Sequence, residues 1–149
     1  MQSVEIKAVE KCDFDIWLPL WKCYQKFYSV NIPESVTFKT WERFLDPAEP
    51  THAALAMVDK RAFGLVHSLY HRSTWTTDDY CYLQDLFVAD EARGSGIGRA
   101  LIEHVYAHAK CRGAPRVYWL THESNHNAMQ LYDRVAERSG FIHYRKSFA

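Results

Sequence analysis

The chain reads as an α/β domain with a mixed, mostly antiparallel central sheet flanked by helices. Three observations predict this. Periodic segments follow one another as strand, two helices, three strands, helix, strand, helix and strand. The link between the second and third strands, Asp59-Lys60-Arg61, is polar and short enough for an antiparallel hairpin. A glycine-rich turn then joins a largely apolar strand to an amphipathic helix.

The first strand spans Val4 to Val9, where Val4, Ile6 and Ala8 alternate with Glu5 and Lys7. Asp13 is placed to cap a helix whose apolar residues Ile16, Trp17, Leu20, Trp21, Tyr24, Phe27 and Tyr28 recur at three and four residues, with Pro19 in its first turns or at a kink. The run Asn31-Ile32-Pro33-Glu34-Ser35 breaks that pattern, and a shorter helix over Thr37 to Leu45 stops at Asp46-Pro47. Strands are expected at Ala53 to Val58 and Phe63 to Tyr70, then a loop from Arg72 to Asp79. Tyr80 to Val88 is apolar enough to lie centrally. A helix from Ile97 to Cys111 ends before Gly113-Ala114-Pro115, and Val117 to Leu120 makes the next strand. Asn125 or Asn127 caps a helix through Ala128, Leu131, Tyr132 and Val135; Gly140 ends it, and Phe141 to Phe148 closes the sheet.

A length of 149 residues with 48% hydrophobic character suits one core, so residues 1–149 are expected to form a single domain. The 18 basic and 18 acidic side chains cancel, leaving no overall field to draw the chain toward nucleic acid or an anionic membrane. Cys12, Cys23, Cys81 and Cys111 fall in no paired-ligand spacing, and Met1-Gln2-Ser3-Val4-Glu5 has no secretory pattern, which fits a reducing cytoplasm. No apolar run reaches the roughly 20 residues of a membrane helix. The aromatic cluster Trp17, Trp21, Tyr24, Phe27, Tyr28, Trp41 and Phe44 serves either as packing against the sheet or as a wall facing a substrate.

Arg93-Gly94-Ser95-Gly96-Ile97-Gly98-Arg99 lies between strand and helix, where unpaired amides and the helix dipole favour an anion. Arg93 and Arg99 can add charge-assisted bonds to phosphate. The Gly-Lys-Ser/Thr of a nucleotide-hydrolase loop is missing. Glycines stepping by two do not make the dinucleotide fingerprint. Taken alone, the glycines also suit a plain tight turn.

Leu86-Phe87-Val88, Arg93-Gly94-Ser95-Gly96-Ile97-Gly98 and Asn125-His126-Asn127-Ala128-Met129-Gln130-Leu131-Tyr132 together resemble the GNAT superfamily of acyl-CoA-dependent N-acetyltransferases. Tyr82 to Val88 and Val117 to His126 look like its histone- and polyamine-acetylating branch. The resemblance implies acetyl transfer from acetyl-CoA to a primary amine of a small molecule (a polyamine, amino acid or related amine) or of a peptide, by direct attack and without a metal. It implies that the strands at Tyr80 to Val88 and Val117 to Thr121 splay to admit the pantetheine arm. Backbone groups of Leu86, Phe87 and Val88 would bond that arm on one side and Asn125, with Asn127 beside it, on the other, while Arg93, Gly94, Ser95, Gly96, Ile97, Gly98 and Arg99 would hold the diphosphate. Tyr132 matches the general acid for the departing thiolate, whereas its helical spacing alone favours core packing.

An alkylammonium with a pKa of about 10.4 must lose a proton before it attacks. The polyamine-acetylating relatives often carry glutamate where Gln84 stands, and an amide is no base. Asp85 is the nearest carboxylate but, by strict alternation, faces the other side of the sheet, so a water relay through Tyr82, Gln84 or Asp85 is expected. Gly140-Phe141 comes later after Tyr132 than is usual in the family, so the helix or its exit loop is longer. A homodimer built on the closing strand, with Ile142 to Phe148 as its edge, is expected. Two other readings compete: a non-catalytic coenzyme A sensor, and a zinc hydrolase using His122, Glu123 and His126 in the spacing His-Glu-x-x-His. The second requires that segment to be helical. His104 and His108 are read as flanking the core of their helix.

Overall fold

The computed structural model describes residues 3–148; Met1 and Gln2, the first two residues of the amino terminus read above, lie outside the described residues. Five strands form one sheet in the order of the chain: β1 (Glu5–Ala8), β2 (Thr51–Val58), β3 (Arg61–His71), β4 (Tyr80–Val88) and β5 (Val117–Tyr118). The first four are antiparallel neighbours, and β5 joins β4 in parallel. The helices are α1 (Phe14–Phe27), α2 (Glu34–Leu45), α3 (Ile97–Cys111) and α4 (His126–Val135).

Alternation along the strands divides the core in two. Leu55, Leu65 and Phe87 point to the side covered by α1 and α2, where Trp17, Leu20, Trp21 and Trp41 complete a buried cluster. Ala54, Ala56, Val66, Cys81 and Leu83 point to the other side, against Ile97, Leu101, Ile102, Val105 and Ala109 of α3. Fully burying such side chains stabilises by about 1.5–3 kcal/mol each, so the two clusters fix both helical layers. Most of the early aromatic residues are therefore packing: Trp17 is completely buried and stacks with its neighbours Trp21 and Trp41.

The hairpin between β2 and β3 turns on Asp59 and Lys60 alone, both with positive φ, as a tight two-residue connection requires. Gly64 is needed for a different reason: a Cβ there would sit 3.0 Å from the Phe87 carbonyl oxygen and 3.1 Å from Ile97 and Leu101 side-chain atoms. Its missing side chain lets β4 and α3 close onto β3.

Several expected boundaries shift. The second helix begins at Glu34, and β2 and β3 extend beyond their expected ends. Pro19 is accepted inside α1. Asp13 caps nothing through its side chain at α1; it accepts the Glu10 amide at 2.8 Å and pairs with Lys7 at 3.1 Å. The strand expected over Val117 to Leu120 pairs only at Val117 and Tyr118. The closing strand expected over Phe141 to Phe148 does not form: this segment joins no sheet, and Phe141, Ile142, Tyr144 and Phe148 are all at least 75% exposed. A strand exists only where another edge meets its amides and carbonyls, and none does so along this stretch within the described residues.

Candidate active site

The site begins with a break in the β3–β4 ladder. His67 pairs with Asp85 and Ser68 with Leu83, so Gln84 is an extra, unpaired residue, a β-bulge. The bulge cancels the alternation that would have put Asp85 on the α3 side. Leu83 and Leu86, three apart, both pack toward α3, while Asp85 and Phe87 face α1. Gln84 itself is exposed.

On the α1 side Asp85 is held tightly. Tyr24 Oη donates to Asp85 Oδ1 at 2.7 Å, and His67 Nδ1 lies 2.9 Å from Oδ2. Burial, then the Asp85 charge, pushes the Tyr24 hydroxyl well above the usual phenol range, so it stays a donor. The same two influences raise Tyr28, while Arg93 opposes them; burial, then Tyr118 and Asp85, raises Tyr82. Tyr82 stacks on Tyr118 at 4.9 Å, and Tyr24 lies 4.7 Å from Tyr28. Asp85 is thus a carboxylate set among phenols.

Beyond Cys81–Val117 and Tyr82–Tyr118, β4 and β5 have no further paired residues, so the edge of β4 from Leu83 to Val88 faces an opening. Leu86 and Val88 line the α3 side of that edge and Phe87 the α1 side. Arg93 folds back over the edge: its Nε donates to the Val88 carbonyl at 3.2 Å, its guanidinium pairs with Asp90 at 3.3 Å, and it lies 5.0 Å above the Phe27 ring.

The glycine loop follows. Gly94 and Gly96 adopt φ of 79° and 85°, with nothing within 4 Å of where a Cβ would be, so the backbone angle and not crowding calls for glycine. Among the described residues, no backbone or side-chain acceptor takes the amides of residues 94 to 99, although Ser95 Oγ donates to the Ala92 carbonyl and Arg99 pairs with Glu103 at 3.0 Å. Consecutive free N–H groups at the start of the 15-residue α3 form an array suited to a diphosphate. This is the fit expected for the phosphate end of coenzyme A. Gly98 lets α4 approach, since a Cβ there would be 3.3 Å from Leu131 Cδ2.

Tyr132, on α4, packs against the core on the α3 side of the sheet. It meets the Trp119 ring edge-to-face at 5.4 Å, and its hydroxyl has no hydrogen-bond partner among the described residues. Burial pushes it up to about 12, with Tyr28 adding to the effect. The Asp85 charge acts on Tyr28 and Tyr28 in turn acts on Tyr132, so the three share one electrostatic neighbourhood. Asn125 precedes α4 and donates to Thr121 Oγ1 at 3.3 Å instead of capping the helix, and Asn127 is exposed in the first turn.

The His-Glu-x-x-His spacing is not helical. His122 and Glu123 precede α4, which starts at His126, and His122 Nδ1 is engaged by the Ser124 hydroxyl at 2.6 Å, so the two histidines do not share a helical face. His104 and His108 are half-buried on α3, and His108 Nδ1 contacts the Tyr70 hydroxyl at 2.6 Å. Sequence reasoning missed His67 as a site residue, and had Tyr24 and Tyr28 only within an aromatic cluster that could be packing or a substrate wall. A histidine in the middle of the apolar run Gly64-Leu65-Val66-His67-Ser68 was the available signal.

Residues 17–136 match the Acetyltransferase (GNAT) family. The chain is 38% identical over 146 residues to the D-amino-acid N-acetyltransferase HPA3 of Saccharomyces cerevisiae, covering 97% of this chain and 91% of that protein. It is 30% identical over 84 residues to a thialysine N-epsilon-acetyltransferase of Caenorhabditis elegans, covering 56% of this chain and 52% of the relative. The fold is shared with AAC(6')-Iy, solved in complex with the bisubstrate analogue CoA-S-monomethyl-acetylneamine, at a TM-score of 0.85 and 17% identity over 99% of each chain. The glycine loop at the head of α3, the widening edge of β4 and the length of these matches lead to one conclusion: the chain belongs to the GNAT acetyltransferase family and is an acetyl-CoA-dependent N-acetyltransferase.

Proposed function

We propose that the chain acetylates the primary amine of an amino acid or amino-acid-like small molecule, using Asp85 as base and Tyr132 as acid. The observation that carries this reading is one carboxylate, Asp85, held by Tyr24 and His67 on the strand whose far edge is unpaired beyond Tyr82, together with a Tyr132 hydroxyl that has no partner among the described residues. The names of two relatives, acting on D-amino acids and on thialysine, support an amino-acid-like acceptor over the polyamine and histone-like acceptors of the neighbouring branch.

Acetyl-CoA supplies an activated acetyl group. The free amides of residues 94 to 99 bind its diphosphate, with Arg93 and Arg99 adding charge. For Arg93 this means exchanging its hold on the Val88 carbonyl, which frees the β4 edge at Leu86, Phe87 and Val88 for the pantetheine arm. Asn125 and Asn127 close the far side. Asp85 Oδ draws the ammonium to the opening and accepts its proton, directly or through one water; Gln84, exposed on the bulge, orients that water. Tyr132 stays protonated through neutral pH and gives its proton to the departing thiolate.

The reading extends to the whole molecule. The balanced charge and the free thiols support a single domain working in the cytoplasm on small molecules, not on nucleic acid or lipid, and no helix among the described residues is long and apolar enough to cross a membrane. The apolar carboxyl-terminal segment, exposed along Phe141 to Phe148, supports a homodimer in which a second copy covers it.

The test is thiol release from acetyl-CoA with a panel of D- and L-amino acids, thialysine, polyamines, aminoglycosides and a lysine peptide. Turnover fastest with the amino acids is expected. Turnover only with polyamines or peptide returns the chain to the neighbouring branch, and coenzyme A binding without release for any amine makes it a sensor.

A further inference from the structure

Behind Asp85 stands a second layer of buried polar groups. His67 lies opposite Asp85 in the ladder and is 4% exposed. Its Nε2 lies 3.0 Å from the indole Nε1 of Trp17, which is itself fully buried. An indole nitrogen only donates, so Nε2 is the bare, accepting nitrogen of the ring. The single imidazole proton is then on Nδ1, where it donates to Asp85 Oδ2 at 2.9 Å. Trp21 at 4.9 Å and Phe44 at 4.7 Å enclose the ring faces. Burying a histidine in this aromatic cluster is costly unless both its nitrogens are satisfied. Here both are, and one of the two bonds is spent on the carboxylate.

We infer that His67, locked by Trp17 as the neutral Nδ1–H tautomer, is the positioning residue that holds the Asp85 carboxylate aimed at the acceptor amine. This inference rests on Asp85 being the base. In that step an N–H bond of the ammonium breaks, the electron pair stays on nitrogen for attack, and the proton goes to Asp85. His67 neither gains nor loses a proton. The titratable groups facing Asp85 are Tyr24 from α1, Tyr28 just after it, Tyr82 from its own strand and His67 from β3, with Arg93 acting on Tyr28. Tyr24 holds the other carboxylate oxygen, so two donors on two different elements fix one rotamer.

The role separates from ordinary packing through the ring nitrogens. Long-range proton–nitrogen spectra of the wild-type protein at pH 7 should show His67 as the Nδ1–H tautomer, with Nε2 bare. Trp17→Phe removes the one donor to Nε2 among the described residues, so the ring should lose its fixed tautomer and exchange between the Nδ1–H and Nε2–H forms. The kcat of that variant should fall with coenzyme A affinity unchanged, because the ring no longer holds Asp85 in one rotamer. Gln at position 67 can donate to Asp85 and accept from Trp17, so His67→Gln should keep most of the rate. His67→Leu should lower kcat roughly 10- to 100-fold, the range seen when an orienting partner of a reacting group is removed, with coenzyme A affinity unchanged.

Wild-type spectra showing a protonated Nε2 at pH 7 overturn the inference even if no variant folds. So does a His67→Leu enzyme with wild-type kcat beside an inactive Asp85→Asn enzyme, a result that leaves Asp85 as base. An Asp85→Asn enzyme with a normal pH–rate profile removes the base itself, and this inference with it.

Discussion

Replacing Gly96 with alanine isolates the backbone angle on which the coenzyme A loop depends. Gly96 is the residue before α3, at φ 85° and ψ 5°, and a Cβ there meets nothing within 4 Å. The cost is therefore conformational and not steric, about 1–2 kcal/mol for an L-residue held in the left-handed region. If the loop escapes that cost by leaving the left-handed angle, its amides turn away. The binding-competent fraction then drops about 5- to 30-fold, and the apparent Kd for coenzyme A rises by the same factor. If α3 holds the loop in place, the cost appears as global stability, lowering Tm by roughly 2–8 °C for a domain of this size. Calorimetric titration with coenzyme A and a thermal melt of the same sample read both terms. A Gly96→Ala protein with unchanged affinity and unchanged Tm refutes the reasoning, because the strain must appear in one of them.

Tyr132→Phe should lower kcat about 100-fold or more while leaving coenzyme A binding intact, since general acid catalysis contributes roughly 10²–10⁴; single-turnover kinetics separate the two. Because Tyr132 is pushed up to about 12, the unfolded chain loses its proton first as pH rises from about 10, and stability should decline between pH 10 and 12 in the wild type more than in this variant. His52, lowered to about 4 chiefly by burial and then by His108 and Arg112, stays neutral in the fold while the unfolded chain takes up a proton near 6.5. Its contribution is present above pH 6.5 and lost as pH falls toward 4, by roughly 2 kcal/mol; urea titrations at pH 7 and 4.5 should show a smaller loss in His52→Gln. Gly64→Ala forces a Cβ to 3.0 Å from a backbone carbonyl, and should lower stability by about 1–3 kcal/mol in the same titrations.

The parts of the fold that local chemistry dictates were legible. β4 ends where its apolar run ends, and α3 runs from the last residues of the glycine turn to Cys111, two residues before Gly113 at positive φ, as its punctuation requires. What escaped depends on residues far apart. The bulge at Gln84 has no glycine or proline to mark it, so alternation placed Asp85 on the wrong side of the sheet. His67 meets Trp17 across fifty residues of chain, and no spacing announces such a pair. The closing strand has the composition of a strand but no edge to join, because β5 pairs over only two residues. Arg93 was read as a phosphate ligand from its place in the motif; in the structure it first covers the Val88 carbonyl, an arrangement set by Phe27 from α1.

The account depends most on the free amides at the head of α3. Backbone amide spectra recorded with coenzyme A, and separately with pantetheine, which lacks the diphosphate, test it directly. Large shifts at residues 94 to 99 with coenzyme A and small ones with pantetheine are predicted; spectra in which those amides stay put while the ligand binds elsewhere contradict it.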